Sequence, residues 1–329
     1  MTRKQRLTST YLVLVPALAI LFVIDISIGS IHLTFNEILK VLLHPDSSSS
    51  ASALIWQLRL PRTITAIFAG AALALSGAQM QAIFKNPLAD PHILGLSAGA
   101  GTGVATFTYL AAGSGIGASI GSASAAAIGS AIAVIVILLA ASRIRRTSGL
   151  LITGVMLGFV FSSLTSIIGF RTDEIGVKMF WSWSAGSFSG NSTSGTAIMG
   201  FALILGSLIA LYCHKGLNLI IFGDDFAQAS GLNTKKTRAI SMLGCCILTG
   251  SATAFCGPIG FVGIIAPHIA RWASGKSAMK EVLPLSILTG AVICLAGDIV
   301  SQMWEKPLPV GSTIALLGIP IILWIIKDN

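Results

Sequence analysis

The chain has 329 residues, of which 54% are hydrophobic and only 10% charged, far below the roughly 25% charged residues of a soluble domain. That composition excludes a water-soluble core and points to packed membrane helices, whose backbones the 35 glycines allow to approach closely. The net charge of +9 would suit nucleic acid in a soluble protein, but here the basic residues cluster between apolar runs, and no nucleic-acid partner is expected.

A bilayer core about 30 Å thick takes about 20 apolar residues of helix. The apolar runs predict ten spans, at 11–31, 63–83, 93–112, 117–140, 149–169, 194–213, 239–256, 257–273, 282–303 and 308–326. The first follows Arg3, Lys4 and Arg6 as in a secretory signal, but no A-x-A cleavage site comes after it, so it is read as an uncleaved helix. Next, the low-complexity stretch His44–Ser52 predicts a flexible polar loop. Arg59 and Arg62, in Arg-Leu-Pro-Arg at the mouth of the second span, share a face on a helix. Lipid-headgroup anchoring and docking to carboxylates on an outer partner both fit them.

Within the second span, Gly70-Ala-Ala-Leu-Ala-Leu-Ser-Gly77 is repeated as Gly250-Ser-Ala-Thr-Ala-Phe-Cys-Gly257, and a Pro-His pair follows each copy (Pro91-His92, Pro267-His268). The two copies run in opposite directions, an inverted repeat of the transporter kind, unless Gly/Ala-rich helices match by chance. Gly95-Leu-Ser-Ala-Gly99 has the G-x-S-x-G form of a nucleophile elbow, yet no strand-to-helix turn or base is visible for Ser97. The four-residue spacing of Gly95, Gly99 and Gly103 favours helix packing.

Further along, Gly223–Asn233 predicts a short helix and turn, with Asp224 and Asp225 in its first turn and Gly231 at its end. Ala270–Ser277 is a poor phosphate loop because Ala270 replaces the first Gly and no strand precedes it. The weakest span, 257–273, carries Pro258 and Pro267; it is kept as a span, with a broken or re-entrant segment as the alternative. Asp25 and Asp298 lie inside spans, where an acid is a functional candidate by default; a structural polar contact is the favoured reading of both. The five histidines and five cysteines show neither metal-ligand spacing nor a disulfide framework, so no metal or cofactor is expected.

With the N-terminus inside, fifteen Lys and Arg residues fall on the cytoplasmic side and six outside, as the positive-inside rule requires. Both termini are then cytoplasmic. Losing the eighth span would move the basic loop 271–280 outside and spoil this split.

The chain resembles the FecCD family, the iron-complex and vitamin B12 permeases of type II ABC importers. The likeness is carried by Arg59-Leu-Pro-Arg62, Gly70–Gly101 with Asn86-Pro-Leu-Ala-Asp-Pro91, Trp181–Phe188, Gly223–Gly231, Gly257–His268 and Leu308-Pro-Val-Gly311. It implies an all-α permease with ten transmembrane helices in one domain, a second permease subunit, two cytoplasmic ATP-binding subunits and an extracytoplasmic substrate-binding protein. ATPase coupling would fall to Gly223, Asp224, Asp225, Ala227, Gln228, Gly231 and Leu232, in a segment at about 222–238. Docking of the binding protein would fall to Arg59 and Arg62, and the cytoplasmic gate to Asn86, Leu88, Thr147 and Ser148. Gln302 stands where the vitamin B12 permease has a further docking arginine. The implied cargo is an iron complex of siderophore or haem, with cobalamin as the alternative, and the implied location is the bacterial cytoplasmic membrane. An intramembrane hydrolase using Ser97 and a proton-coupled carrier using Asp298 are the rivals.

Overall fold

The computed structural model describes residues 3–29, 35–43, 50–111, 118–144, 147–304 and 306–327. These form α1 (Arg3–Ser27), α2 (Phe35–Leu43), α3 (Ser50–Ala53), α4 (Leu60–Phe84), α5 (Leu96–Ala111), α6 (Ala118–Arg143), α7 (Thr147–Arg171) and α8 (Glu174–Ser184). After them come α9 (Thr193–Phe222), α10 (Asp224–Ala229), α11 (Thr234–Cys256), α12 (Val262–Ser274), α13 (Met279–Gln302) and α14 (Val310–Lys327). No strand occurs among the described residues. Most of the loop expected after the first span, 44–49, lies outside them.

Every predicted span coincides with a helix, and among the described residues seven helical runs, α1, α3 to α4, α6, α7, α9, α11 and α13, are both long and apolar enough to cross a bilayer. The third span opens with a 3-10 turn, Pro91–Leu94, before the 16-residue α5. The eighth is shorter still. Its first five residues, Pro258 among them, are non-helical and α12 has 13 residues, about 20 Å of helix, while Pro267 lies within α12 without interrupting it. Phe261, at φ 71°, turns the chain into α12.

Burial decides which helix is central. In its apolar window α4 is 83% buried, against 6% for α1 and 11% for α7. Its glycines explain this position, because a Cβ on Gly70 would lie 2.2 Å from the Gly290 carbonyl oxygen and one on Gly77 1.9 Å from that of Gly263. Gly70 and Arg62 face Gly290 and Asp298, so α13 runs antiparallel to α4. Gly77 and Gln81 face Gly263 and Arg271, so α12 runs parallel to it. Ser76 bonds both the Cys245 carbonyl (3.3 Å) and the Thr249 hydroxyl (2.9 Å), while Gly244 lies by Gln79. The two repeat helices, α4 and α11, therefore pack against each other in opposite directions.

Gly99 packs on Gly129 and Gly103 on Ala125, the close helix packing predicted from their spacing. One end of the bundle gathers Arg6 beside Gly275, Lys85 beside Asp224, and Asn218, whose Oδ1 accepts the Met279 backbone N–H at the start of α13. This is the basic end; Arg62 and Asp298 mark the other.

Candidate functional site

The basic end carries a projecting turn. Gly223, at φ +130°, ends α9 and starts α10 at a backbone geometry that a side chain rarely adopts. At the other end of α10, the Leu232 N–H reaches the Ala227 carbonyl and the Gly231 N–H that of Gln228, a Schellman stop with glycine in its left-handed position. Asn233 then caps α11, its Oδ1 accepting from Lys236 N. Ala227 is fully buried and anchors the turn, whereas Asp225 and Gln228 are exposed. Phe222 (77% exposed) and Phe226 (53%) meet edge-to-face with centroids 6.0 Å apart. Sequence reasoning missed these two phenylalanines. Their signal was aromatic residues four apart bracketing a two-aspartate helix start.

Asp224 points inward. Its carboxylate accepts from Arg238 at 2.7 and 2.8 Å and from Lys85 at 2.8 Å. Burial raises its pKa, but the hydrogen bonds from Lys85 and Arg238 outweigh that and hold it below the usual carboxylate value. A depressed folded pKa means the stabilisation is complete above the unfolded value of about 3.9 and is lost only as pH falls through the folded one. Partner binding through this turn should therefore be flat from about pH 5 to 8, as a co-purification series would read.

Lys85 is itself unusual. It ends α4 in the left-handed region (φ 51°) while the Asn86 N–H reaches the Gln81 carbonyl, the same stop motif with lysine where glycine is usual, at a cost of about 1–2 kcal/mol. The residues expected at a gate follow directly: Asn86 Oδ1 accepts from Leu88 N at 2.9 Å, and Leu88 is 50% exposed. Thr147 and Ser148 begin α7, which packs on α4 and on the Pro91–Leu94 turn; their side chains lie outside the described residues.

At the opposite end Arg59 and Arg62 separate. Arg59 closes a π-helical stretch, Leu54–Arg59, is 8% exposed, and donates to the Ile26 and Ser27 carbonyls at 2.7 and 3.2 Å, where the negative end of α1 favours a cation. Arg62, in the first turn of α4, grips Asp298 with two parallel bonds of 2.8 and 2.7 Å. Asp25 accepts from Thr63 at 2.6 Å, and Gln302 donates to both Asp25 and Asp298 at 3.1 Å. Asp25 and Asp298 are thus structural contacts within one network, and Gln302 is its neutral bridge. Both arginines are engaged inside the subunit, with Arg62 keeping 17% of its side chain exposed.

His92 Nδ1 meets the Ser97 hydroxyl while its Nε2 contacts the Ile259 carbonyl at 2.9 Å. The base that sequence inspection did not find is therefore present, but neither residue lines the bundle's 710, 450 or 280 Å3 cavities. The poor phosphate loop is occupied by internal contacts: Arg271 donates to Gln81 at 2.7 Å and Lys276 lies 3.8 Å from Glu281. All five cysteines are buried, and no metal-binding cluster occurs among the described residues.

Residues 17–328 match the FecCD transport family. The chain is 35% identical over 332 residues to the Fe(3+)-citrate import system permease protein YfmE of Bacillus subtilis (strain 168), covering 99% of this chain and 97% of that protein. It is 34% identical over 285 residues to the vitamin B12 import system permease protein BtuC of Salmonella typhi, covering 86% of each. Its fold superposes with a TM-score of 0.84 and 28% identity, over 96% of this chain and 98% of the other, on a structure described as a metal-chelate type ABC transporter in an inward-facing conformation. Family, relatives and fold agree along nearly the whole chain, and it belongs to the FecCD transport family, as the multi-pass translocation subunit of an ABC importer rather than an enzyme.

Proposed function

We propose that this permease carries an iron complex inward across the bacterial cytoplasmic membrane, paired with a second permease subunit, two ATP-binding subunits at the basic end and a binding protein at the other. The observation that carries the arrangement is the α9–α10–α11 turn, which exposes Phe222, Asp225, Phe226 and Gln228 on a support closed by the Schellman stop and the Asn233 cap. Aromatic anchors ringed by polar groups suit a protein partner. The basic end then faces the cytoplasm with both termini, as the charge distribution favours. The exposed apolar face of α7, with Ile152, Met156, Phe159 and Phe170, is available to the second permease or to lipid.

The iron cargo follows YfmE, while the 34% identity to BtuC keeps cobalamin as the second reading. Uptake of radiolabelled ferric citrate against cobalamin, by vesicles containing the whole importer, separates the two. For docking of the binding protein, Arg62 is the group with an exposed edge and Arg59 fixes the helix end beside it.

The double variant Phe226→Ala, Gln228→Ala should weaken ATPase association by about 2 kcal/mol, roughly thirtyfold, with membrane insertion unchanged. Undiminished co-purification of the ATPase would remove the coupling assignment.

A further inference from the structure

We infer that the Lys85–Asp224 ion pair is the link through which the ATPase-facing turn moves the gate segment Asn86–Leu88. This rests on the proposed seating of α10 on the ATPase, and it gives Asp224 an inward role in place of a contact with the ATPase. Lys85 then joins the machinery, to which sequence reasoning did not assign it, and Arg238, at the end of the 222–238 segment, gains a named role in it.

The two cations on Asp224 are not equivalent. Arg238 belongs to the first turns of α11, within the same capped unit as α10, and its side chain is 14% exposed. It travels with Asp224 and fixes the direction of the carboxylate. Lys85 belongs to α4 and is 34% exposed, so its bond at 2.8 Å crosses from the turn to another helix. The next residue along the chain is Asn86, whose side chain holds the Leu88 backbone. A displacement of α10 that keeps the ion pair and takes up the slack of the lysine stem therefore pulls on the backbone that carries Leu88. The left-handed backbone at Lys85 fits this role. Glycine or asparagine would satisfy the stop motif with less strain, but only a long cationic side chain there reaches Asp224.

The same backbone preference makes the test clean. Lys85→Gly deletes the pair and relaxes the helix stop, so misfolding is not the expected outcome; Lys85→Arg keeps a cation of similar reach. Each is combined with Leu88→Cys, a reporter that stands out because the five native cysteines are buried, in the full importer with its ATPase and binding protein. Maleimide labelling of Leu88→Cys is compared between nucleotide-free and vanadate-trapped states, alongside co-purification of the ATPase.

In Lys85→Gly the ATPase should remain bound while the nucleotide-dependent change in labelling falls about fivefold or more; in Lys85→Arg most of that change should remain. An unaltered labelling change in Lys85→Gly overturns the link and leaves the coupling assignment standing. Loss of ATPase binding in Lys85→Gly also overturns it, because the pair would then shape the docking surface itself. If Phe226→Ala, Gln228→Ala leaves the ATPase bound, the coupling assignment fails, and the link with it.

Discussion

Arg62→Ala is expected to destabilise the permease by about 3–5 kcal/mol, because removing one partner of a buried ion pair leaves the other charge uncompensated. The asymmetry within the pair sharpens the expectation. Asp298 is fully buried and Asp25 nearly so, so without Arg62 the two carboxyl groups keep, among the described residues, Thr63 and Gln302 as neutral donors. Asp298→Ala instead leaves Arg62, whose side chain is 17% exposed and reaches water, at a cost of about 1–3 kcal/mol. The double variant Arg62→Gln, Asp298→Asn should lie nearer the parent than Arg62→Ala does. Thermal unfolding in detergent measures the order; equal losses for the two single alanine variants would contradict it. The same double variant also separates docking from folding. Reversing Arg62 to Glu would add a third carboxyl group to the network and damage the fold, whereas the neutral pair preserves shape, so a salt-sensitive loss of affinity for the binding protein would then belong to Arg62 itself.

Gly77→Ala is expected to cost more than the usual 1–3 kcal/mol of an overpacked site and to abolish folded protein. The added Cβ would lie 1.9 Å from the Gly263 carbonyl oxygen and 2.5 Å from the Gly263 carbonyl carbon and Cα, which are backbone atoms with no rotamer to escape into. Helices α4 and α12 would have to separate. Gly263 has little room on its other side, because its own Cβ position lies 3.0 Å from Asp90 Oδ2 and 3.1 Å from the Pro91 ring. Gly169→Ala is the control: nothing lies within 4 Å of that position in α7, and alanine there should be neutral or stabilise the helix by up to about 1 kcal/mol. The yield of monodisperse protein in detergent distinguishes the two, and a well-folded Gly77→Ala would show that the α4–α12 contact is not a packing constraint.

Local pattern was enough for much of this. Hydropathy located the helices, Pro258 fell in the non-helical start of the eighth segment, and the Gly70–Gly77 and Gly250–Gly257 copies marked two helices that lie antiparallel in contact. Asp224 and Asp225 in its first turn and Gly231 at its end placed α10 because helix ends are decided by side chains within a few residues of them. The arginine pair was different. Their three-residue spacing predicts a shared face, but Arg59 ends a π-helical stretch and turns to the carbonyl end of α1, while Arg62 finds Asp298, 236 positions away along the chain. No local pattern encodes such a choice between partners.

Apolar length, charge bias and glycine spacing are summed over short stretches, so they were enough to identify a multi-helix membrane protein, and family motifs assigned its place in an importer. Folding in three dimensions was needed to show which helix is central, that Gln302 bridges two buried acids, that Ser97 meets a histidine away from any cavity described above, and that Asp224 faces Lys85 as well as Arg238. These depend on residues distant in sequence meeting at distances below about 3.5 Å, where hydrogen bonds and carbon contacts alike change steeply with position. The pairing is set by how whole helices pack around Gly70 and Gly77.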